Sequence, residues 1–139
     1  MPGLPSLLVA VSAAIVTVFG GLHLFHTFRG RMLLPRDDEL LESMKRTSPR
    51  ITRETTMWRA WVGFNATHSM SLILFGLFYA YLALAAPTLL FASWFLRLLG
   101  LATLVAFVVL ARRYFFSVPF KGVLVATALY VAGLVTAGV

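Results

Sequence analysis

Long apolar runs dominate the chain, and four of them are long enough to cross a lipid bilayer as helices. They cover residues 6–28, 57–85, 89–111 and 118–138. A helix needs about 20 apolar residues to span the hydrocarbon core. No run holds an internal proline except the last, where Pro119 suits a first helical turn. The pattern predicts an all-α integral membrane protein, a four-helix transmembrane bundle that forms a single domain over residues 1–139.

The polar segment between the first two runs, residues 29–56, contains a second, shorter pattern. Leu40, Leu41 and Met44 alternate with charged residues at helical spacing, which predicts a short amphipathic helix on the membrane surface. Asp37 or Asp38 would cap this helix, and basic residues fall in its last turn.

A second start signal follows in the same segment. Ser48 and then Pro49 are typical of an N-cap and a first helical position. We therefore expect the second spanning helix to begin near Pro49, well before the membrane, and to carry Glu54 on its surface.

Composition supports a lipid-facing protein. Hydrophobic residues make up 60% of the chain and charged residues 12%, whereas soluble domains have about 25% charged residues. A chain this short also lacks the interior volume to bury so much apolar surface. The absence of cysteine excludes disulfides, thiolate metal sites and thiol catalysis.

The net charge is +7, and most of the basic residues that produce it lie in or beside the segments that connect the apolar runs. Eight of the 12 basic residues lie between Arg29 and Arg59, and three more are Arg112, Arg113 and Lys121. By the positive-inside rule, residues 29–56 and 112–117 are expected to be cytoplasmic, with both termini outside a plasma (bacterial inner) membrane. No nucleic-acid motif accompanies the charge, so no nucleic-acid partner is expected.

The first run has no preceding positive charge and is too long for a typical signal peptide, so it is predicted to be a spanning helix.

Arg97 is the exception to the charge pattern. Its side chain is expected to reach the outer interface beside Trp94, with binding of an anion or lipid phosphate as the alternative.

A face of polar and aromatic residues follows the second span. Its members are alternately four and three residues apart, which places them on one side of a helix. They are Glu54, Trp58, Trp61, Asn65, His68, Leu72 and Phe75. His23 and His26 lie near the end of the first span, its antiparallel neighbour in the simplest topology. We expect the three histidines and Asn65 to converge in the cytoplasmic half of the bilayer, with the carboxylate and the two indoles lining the way in.

The leading hypothesis is a membrane-embedded binder or enzyme that acts on a lipophilic small molecule by proton transfer, as an isomerase does. Imidazole exchanges protons near neutral pH, an amide can orient a carbonyl, and indoles hold flat or cationic ligands. The catalytic candidates are His23, His68, Asn65 and Glu54. The substrate-binding candidates are Trp58, Trp61, His26 and Phe64.

Other hypotheses remain open beside it. The polar residues can be interhelical glue in a non-catalytic accessory or structural subunit of a membrane complex. They can also hold a metal or haem through His23, His26 and His68, although no HxxxH or ExxH motif is present. A proton-coupled transporter or channel is a further alternative. No cofactor is predicted, and the expected partners are membrane lipids, a lipophilic small molecule and either a second copy or a membrane-complex subunit.

The stretch from Gly63 to His68 reads Gly-Phe-Asn-Ala-Thr-His. It resembles the GFN-x-[ST]-H signature of small bacterial four-span membrane proteins of unknown function, which also have a histidine late in the first span. The resemblance implies the same topology and importance for Asn65 and His68, but no activity. In architecture alone, the chain is also similar to sterol-isomerase-type and DoxX-type four-helix membrane folds. Such isomerases use histidine, glutamate, asparagine and tryptophan in an intramembrane pocket, and their motifs do not match this chain residue by residue.

Overall fold

Helices are the regular secondary structure of the computed structural model, which describes residues 2–139. In chain order they are α1 (Leu4–Phe28), α2 (Asp38–Arg46), α3 (Met57–Ala85), α4 (Pro87–Ala92), α5 (Trp94–Tyr114) and α6 (Ser117–Thr136). No strand occurs in the described range. Four helices, α1, α3, α5 and α6, are long and apolar enough to cross a membrane. The predicted all-α class with four candidate spans is therefore confirmed.

The outward surface of these four helices is apolar. Within their most apolar stretches, only 28% of the residues of α1, 33% of α3, 17% of α5 and 22% of α6 are buried inside the protein. Side chains such as Leu74 and Phe28 are more than half exposed. Leaving a large apolar side chain in water costs about 1.5–3 kcal/mol. The four helices are thus consistent with a multi-pass membrane protein whose outer surface faces lipid.

The third predicted span differs from the observed one. Its first residues form the separate short helix α4, which has Pro87 in its first turn. The chain then breaks at Ser93, whose hydroxyl accepts a hydrogen bond from the backbone N–H of Leu96. A serine cap satisfies an otherwise unpaired helix donor, and α5 therefore begins at Trp94 rather than continuing from Leu89.

The amphipathic helix predicted in the polar segment is present as α2. The side chain of Asp37 caps it and accepts from the backbone N–H groups of Glu39 and Leu40, at 2.9 and 3.3 Å. In the last turns, Lys45 donates to Glu42 at 2.7 Å. This hydrogen bond and the lysine's charge hold the pKa of the Glu42 carboxyl below its usual value. The pair is exposed and contributes little to stability.

The predicted start of the second span near Pro49 is wrong. Residues 47–56 form turns and extended backbone, and α3 begins at Met57. The hydroxyl of Thr52 accepts from the backbone N–H of Glu54, and that of Thr56 accepts from the N–H of Arg59. The first of these bonds forms a local turn in place of a helical bond, and the second caps the N-terminus of α3. Glu54 is therefore an exposed residue of a turn and does not extend the face of α3.

The chain divides into two compact units, one of residues up to Phe19 together with Leu72–Val139, and one of Gly20–Ser71. In the first unit, α1, α3, α4, α5 and α6 share one hydrophobic core. Its most buried residues are Val9, Ala13, Val16, Tyr79, Ala83, Leu90, Leu104, Ala126 and Tyr130. Ser12 adds a buried hydrogen bond, because its hydroxyl donates to the carbonyl of Ala126 at 2.7 Å. The predicted single domain stays a prediction.

Close approach of α1 and α3 in this unit depends on Gly76. A Cβ atom at Gly76 would lie 2.6 Å from the carbonyl oxygen of Ala13 and 2.9 Å from the backbone nitrogen of Thr17. Backbone atoms cannot rotate away as a side chain can. The two helices therefore pack at this distance only with glycine at position 76.

Replacement of Gly76 by alanine is expected to destabilise the protein by about 1–3 kcal/mol, because α1 and α3 must move apart. Thermal unfolding in detergent measures the effect as a lower melting temperature. Gly63→Ala, on the same helix, is the matched control. A Cβ at Gly63 meets nothing within 4 Å, so alanine should leave the melting temperature unchanged or raise it. Equal melting temperatures for the two variants would contradict this account of the packing.

Candidate functional site

The second unit, Gly20–Ser71, contains a hydrogen-bonded cluster of His23, Asn65 and His68. His23 comes from α1, and the other two residues lie one helical turn apart on α3. The Nε2 atom of His23 is 2.9 Å from the Oδ1 atom of Asn65. The rings of His23 and His68 meet edge to face, with centroids 5.4 Å apart and an interplanar angle of 88°. Of the four residues predicted to converge, these three do so, whereas His26 makes its ring contact with Phe25.

A backbone carbonyl fixes the direction of the hydrogen bonds. The Nδ2 group of Asn65 donates to the carbonyl oxygen of Trp61 at 2.8 Å. A carbonyl oxygen can only accept, so the Oδ1 atom of the amide must face His23. The Nε2 atom of His23 therefore carries the proton and donates it to Asn65. In the neutral imidazole, the Nδ1 atom is then the proton acceptor.

Hydroxyl groups around the cluster bond to the helix backbone. Thr27 donates to the carbonyl of His23 at 2.8 Å, and Ser69 donates to that of Asn65 at 2.7 Å. Thr67 shares its proton between the carbonyls of Gly63 and Phe64. Throughout residues 2–139, no buried side-chain nitrogen or oxygen lacks a hydrogen-bond partner. The buried polar side-chain atoms of these residues are therefore paired within the protein, as an apolar surrounding requires.

A cleft, called here the tryptophan cleft, adjoins the cluster through Asn65. Its lining residues are His26, Thr27, Gly30, Leu33, Leu34, Trp58, Trp61, Val62 and Asn65. The indole Nε1 of Trp61 donates to the carbonyl of Leu33 at 3.3 Å and so joins α3 to the segment after α1. The cleft has a cavity volume of ≈ 20 Å³. A water molecule needs about 10–15 Å³ on the same measure, so the cleft encloses no more than one water-sized group.

The predicted site residues separate into three groups. His23, Asn65 and His68 form the cluster, and His26, Trp58, Trp61 and Asn65 line the cleft. Glu54 and Phe64 belong to neither. Glu54 lies in the exposed turn before α3, and Phe64 is 78% exposed. Phe64 precedes Asn65 on the helix and so points about 100° away from it.

The sequence-based analysis missed the cleft wall formed after α1. Gly30 has a φ of +94°, a left-handed conformation that favours glycine. This turn directs the following residues, including Leu33 and Leu34, back towards α3. A glycine directly after a histidine-containing helix end was the available signal.

A metal or haem site through the three histidines receives no support from their arrangement. No group of three or more His, Cys, Asp or Glu side chains that could hold a metal ion occurs in the described part of the chain. His26 makes its ring contact with Phe25, at 5.3 Å between centroids. Structural zinc sites use four protein ligands, and catalytic ones use three. The expectation that no cofactor is needed stays a prediction.

Comparison of the chain with protein-family models, with curated proteins and with solved structures gives no match. The similarity to small four-span membrane proteins at Gly63 to His68 therefore stays a prediction.

Proposed function

We propose that this protein is a membrane-embedded binder, with proton-transfer chemistry of the isomerase type, for a lipophilic small molecule. The observation that carries the proposal is the fixed hydrogen bond between His23 and Asn65 directly beside the tryptophan cleft. Oriented imidazoles next to a cleft with aromatic walls are the components of a site that binds an apolar molecule and moves one of its protons.

The size and lining of the cleft favour one way of binding. Trp58 and Trp61 offer flat apolar walls, and Asn65 and His26 offer polar groups. The small volume of the cleft takes only a polar end group, while the remainder of the molecule lies against the apolar outer surface of the helices. A molecule with one polar end and a long apolar body, such as a sterol, terpenoid, quinone or fatty-acyl compound, meets both requirements.

The proton chemistry follows from the tautomer of His23. Its Nδ1 atom accepts a proton, and its Nε2–H keeps its bond to Asn65 in both the neutral and the charged ring. His68, in ring contact with His23, is the second acid–base group. His26 lines the cleft and takes the role of proton exchange with water that the sequence-based hypothesis gave to Glu54. An isomerisation removes a proton from one carbon and returns one to another, so it needs no oxidant or reductant.

A non-catalytic role as an accessory or structural subunit is the second candidate function. It is favoured by the complete pairing of the buried polar side chains in residues 2–139. Cross-helix hydrogen bonds in membranes stabilise helix contacts by about 0.6 kcal/mol on average. On this alternative, the bond between His23 and Asn65 acts only as such a contact, and the partner is a membrane-complex subunit or a second copy of the chain.

Binding in the tryptophan cleft is testable with diazirine-bearing analogues of a fatty acid, a sterol and a quinone. At least one probe should label residues 26–34 and 58–65 of the detergent-purified protein, as located by peptide mass spectrometry. Trp58→Ala should reduce this labelling about tenfold, because a cleft wall is lost. Trp94→Ala is the matched control, since Trp94 is 66% exposed and outside the cleft. Uniform labelling along all four spans, or equal labelling of both variants, would show that the cleft is not a binding site.

Two substitutions of His23 separate chemistry from structural support. Glutamine places an N–H donor near the Nε2 position but does not titrate, whereas leucine leaves the Oδ1 atom of Asn65 without its partner. His23→Leu should therefore lower stability by about 1–2 kcal/mol, and His23→Gln by much less. Melting temperatures in detergent measure this difference.

The chemical measurement uses D₂O and whichever probe class labels the cleft. The wild-type protein should exchange carbon-bound hydrogen of the unmodified compound for deuterium, and both His23 variants should be about 100-fold slower. Exchange at the wild-type rate in His23→Gln, or its absence in the wild-type protein, would reject the proton-transfer function and leave the structural role.

A further inference from the structure

Arg97 forms no ion pair with any residue that the structure describes. It lies in the first turn of α5 and is partly buried. Its Nε group makes one long hydrogen bond, to the carbonyl of Ser93 at 3.4 Å. Its two terminal nitrogens make no hydrogen bond or ion pair within the part of the chain that the structure describes. Four of the five donors of the guanidinium therefore have no hydrogen-bond acceptor among residues 2–139.

The surrounding unit has no side chain that could neutralise this charge. All five acidic residues of the protein lie between Asp37 and Glu54, and none occurs in residues 1–19 or 72–139. The position at the start of α5 adds to the imbalance, because a helix N-terminus carries partial positive charge and disfavours a cation. Any carboxylate or phosphate that pairs with Arg97 must therefore come from outside residues 1–19 and 72–139.

Two buried tyrosines fix the backbone that carries Arg97. The hydroxyl of Tyr79 donates to the carbonyl of Leu96 at 2.8 Å, and that of Tyr130 donates to the carbonyl of Arg97 at 3.2 Å. Gly100 makes room for both rings, since a Cβ there would lie 2.8 Å from the Cε1 atom of Tyr79. The first turn of α5 is thus held in place, which reduces the ordering cost of binding a ligand at the guanidinium.

The position of Arg97 along α5 corresponds to a headgroup level. Arg112, in the last turn of α5, is 15 residues further on, or about 22 Å along the helix axis. Exposed Trp94 lies one turn before Arg97, and tryptophan is enriched at membrane interfaces. The hydrocarbon core of a bilayer is about 30 Å thick, so the guanidinium groups of Arg97 and Arg112 reach opposite headgroup layers when their long side chains extend outwards from the helix.

We propose that Arg97 binds a phosphate group through its two terminal nitrogens, as the paired donors of guanidinium do in bidentate contacts. The phosphate belongs to an anionic phospholipid or to free phosphate. The site is separate from the tryptophan cleft and does not depend on the proposed function.

The fluorescence of Trp94 reports on lipids in the immediate neighbourhood of Arg97. The chain has three tryptophans, so replacing Trp58 and Trp61 by phenylalanine leaves Trp94 as the reporter. Its fluorescence is measured in bilayers of phosphatidylcholine and phosphatidylglycerol, with bromine on the acyl chains of one lipid at a time. The quenching gives the relative binding constants of the two lipids near Arg97. In a second arm, the melting temperature of delipidated protein is measured with inorganic phosphate and with chloride at equal ionic strength.

If the phosphate belongs to a lipid, phosphatidylglycerol should be preferred about fivefold, which corresponds to about 1 kcal/mol. Arg97→Gln should remove the preference and Arg97→Lys should keep part of it. If the source is free phosphate, phosphate should raise the melting temperature of the wild-type protein and not that of Arg97→Gln. Arg113→Gln, with the same charge change on the same helix, should behave as the wild type in both arms.

Two results would overturn the proposal. In one, Arg97→Gln equals the wild type in both arms while its melting temperature shows that it is folded. In the other, Arg113→Gln loses as much of the phosphatidylglycerol preference or of the phosphate-induced rise in melting temperature as Arg97→Gln does. That result would mean that the experiment measures overall charge and not a phosphate site. Arg97→Lys serves as the folded comparison if Arg97→Gln is unstable.

Discussion

The need to pair every polar group inside an apolar surrounding determines most of this structure. Four long helices satisfy their own backbone and present apolar side chains outwards. Hydroxyl, amide and imidazole groups on these helices form hydrogen bonds either to a carbonyl of their own helix or to a group on another helix. Thr67 and Ser71 donate to carbonyls of their own helix, and Ser12 donates to a carbonyl of another helix. The His23–Asn65 pair follows from the same requirement.

The pairing of polar groups also determines which nitrogen of His23 carries the proton. The carbonyl of Trp61 takes the amide hydrogen of Asn65, and the remaining amide oxygen accepts from His23. The tautomer of the imidazole is thereby set by a backbone atom one turn away. A pairing that satisfies buried polar groups thus also leaves one nitrogen of His23 able to accept a proton.

Helical periodicity and capping signals predicted much of the fold. The predicted apolar span 57–85 coincides with α3, and the cap of α2 lies at Asp37 as expected, because long apolar runs and an Asp cap are strong local signals. The break at Ser93 was missed because an apolar run does not reveal where a single hydroxyl ends one helix and starts another. The helix start predicted near Pro49 was wrong, because a residue pair typical of a helix start does not ensure that the threonine-rich residues after it continue as helix.

The candidate site was predictable in part for the same physical reasons. Spacing on α3 and the antiparallel arrangement predicted that His23, Asn65 and His68 would meet. Glu54 was misplaced because its position depended on the helix start near Pro49. The wall formed by Leu33 and Leu34 depends on the left-handed turn at Gly30. A pattern of hydrophobic positions contains no information about such a turn.

The use of backbone carbonyls as partners has a consequence for how the site tolerates mutation. Asn65 bonds to the carbonyl of Trp61, and the Trp61 indole bonds to that of Leu33. Every amino acid at position 33 or 61 supplies the same acceptor, so drift of the Leu33 side chain leaves the alignment intact. The carbonyl acceptors of this alignment belong to the main chain, so the side chains that it requires are the donors, which are His23, Asn65 and the Trp61 indole.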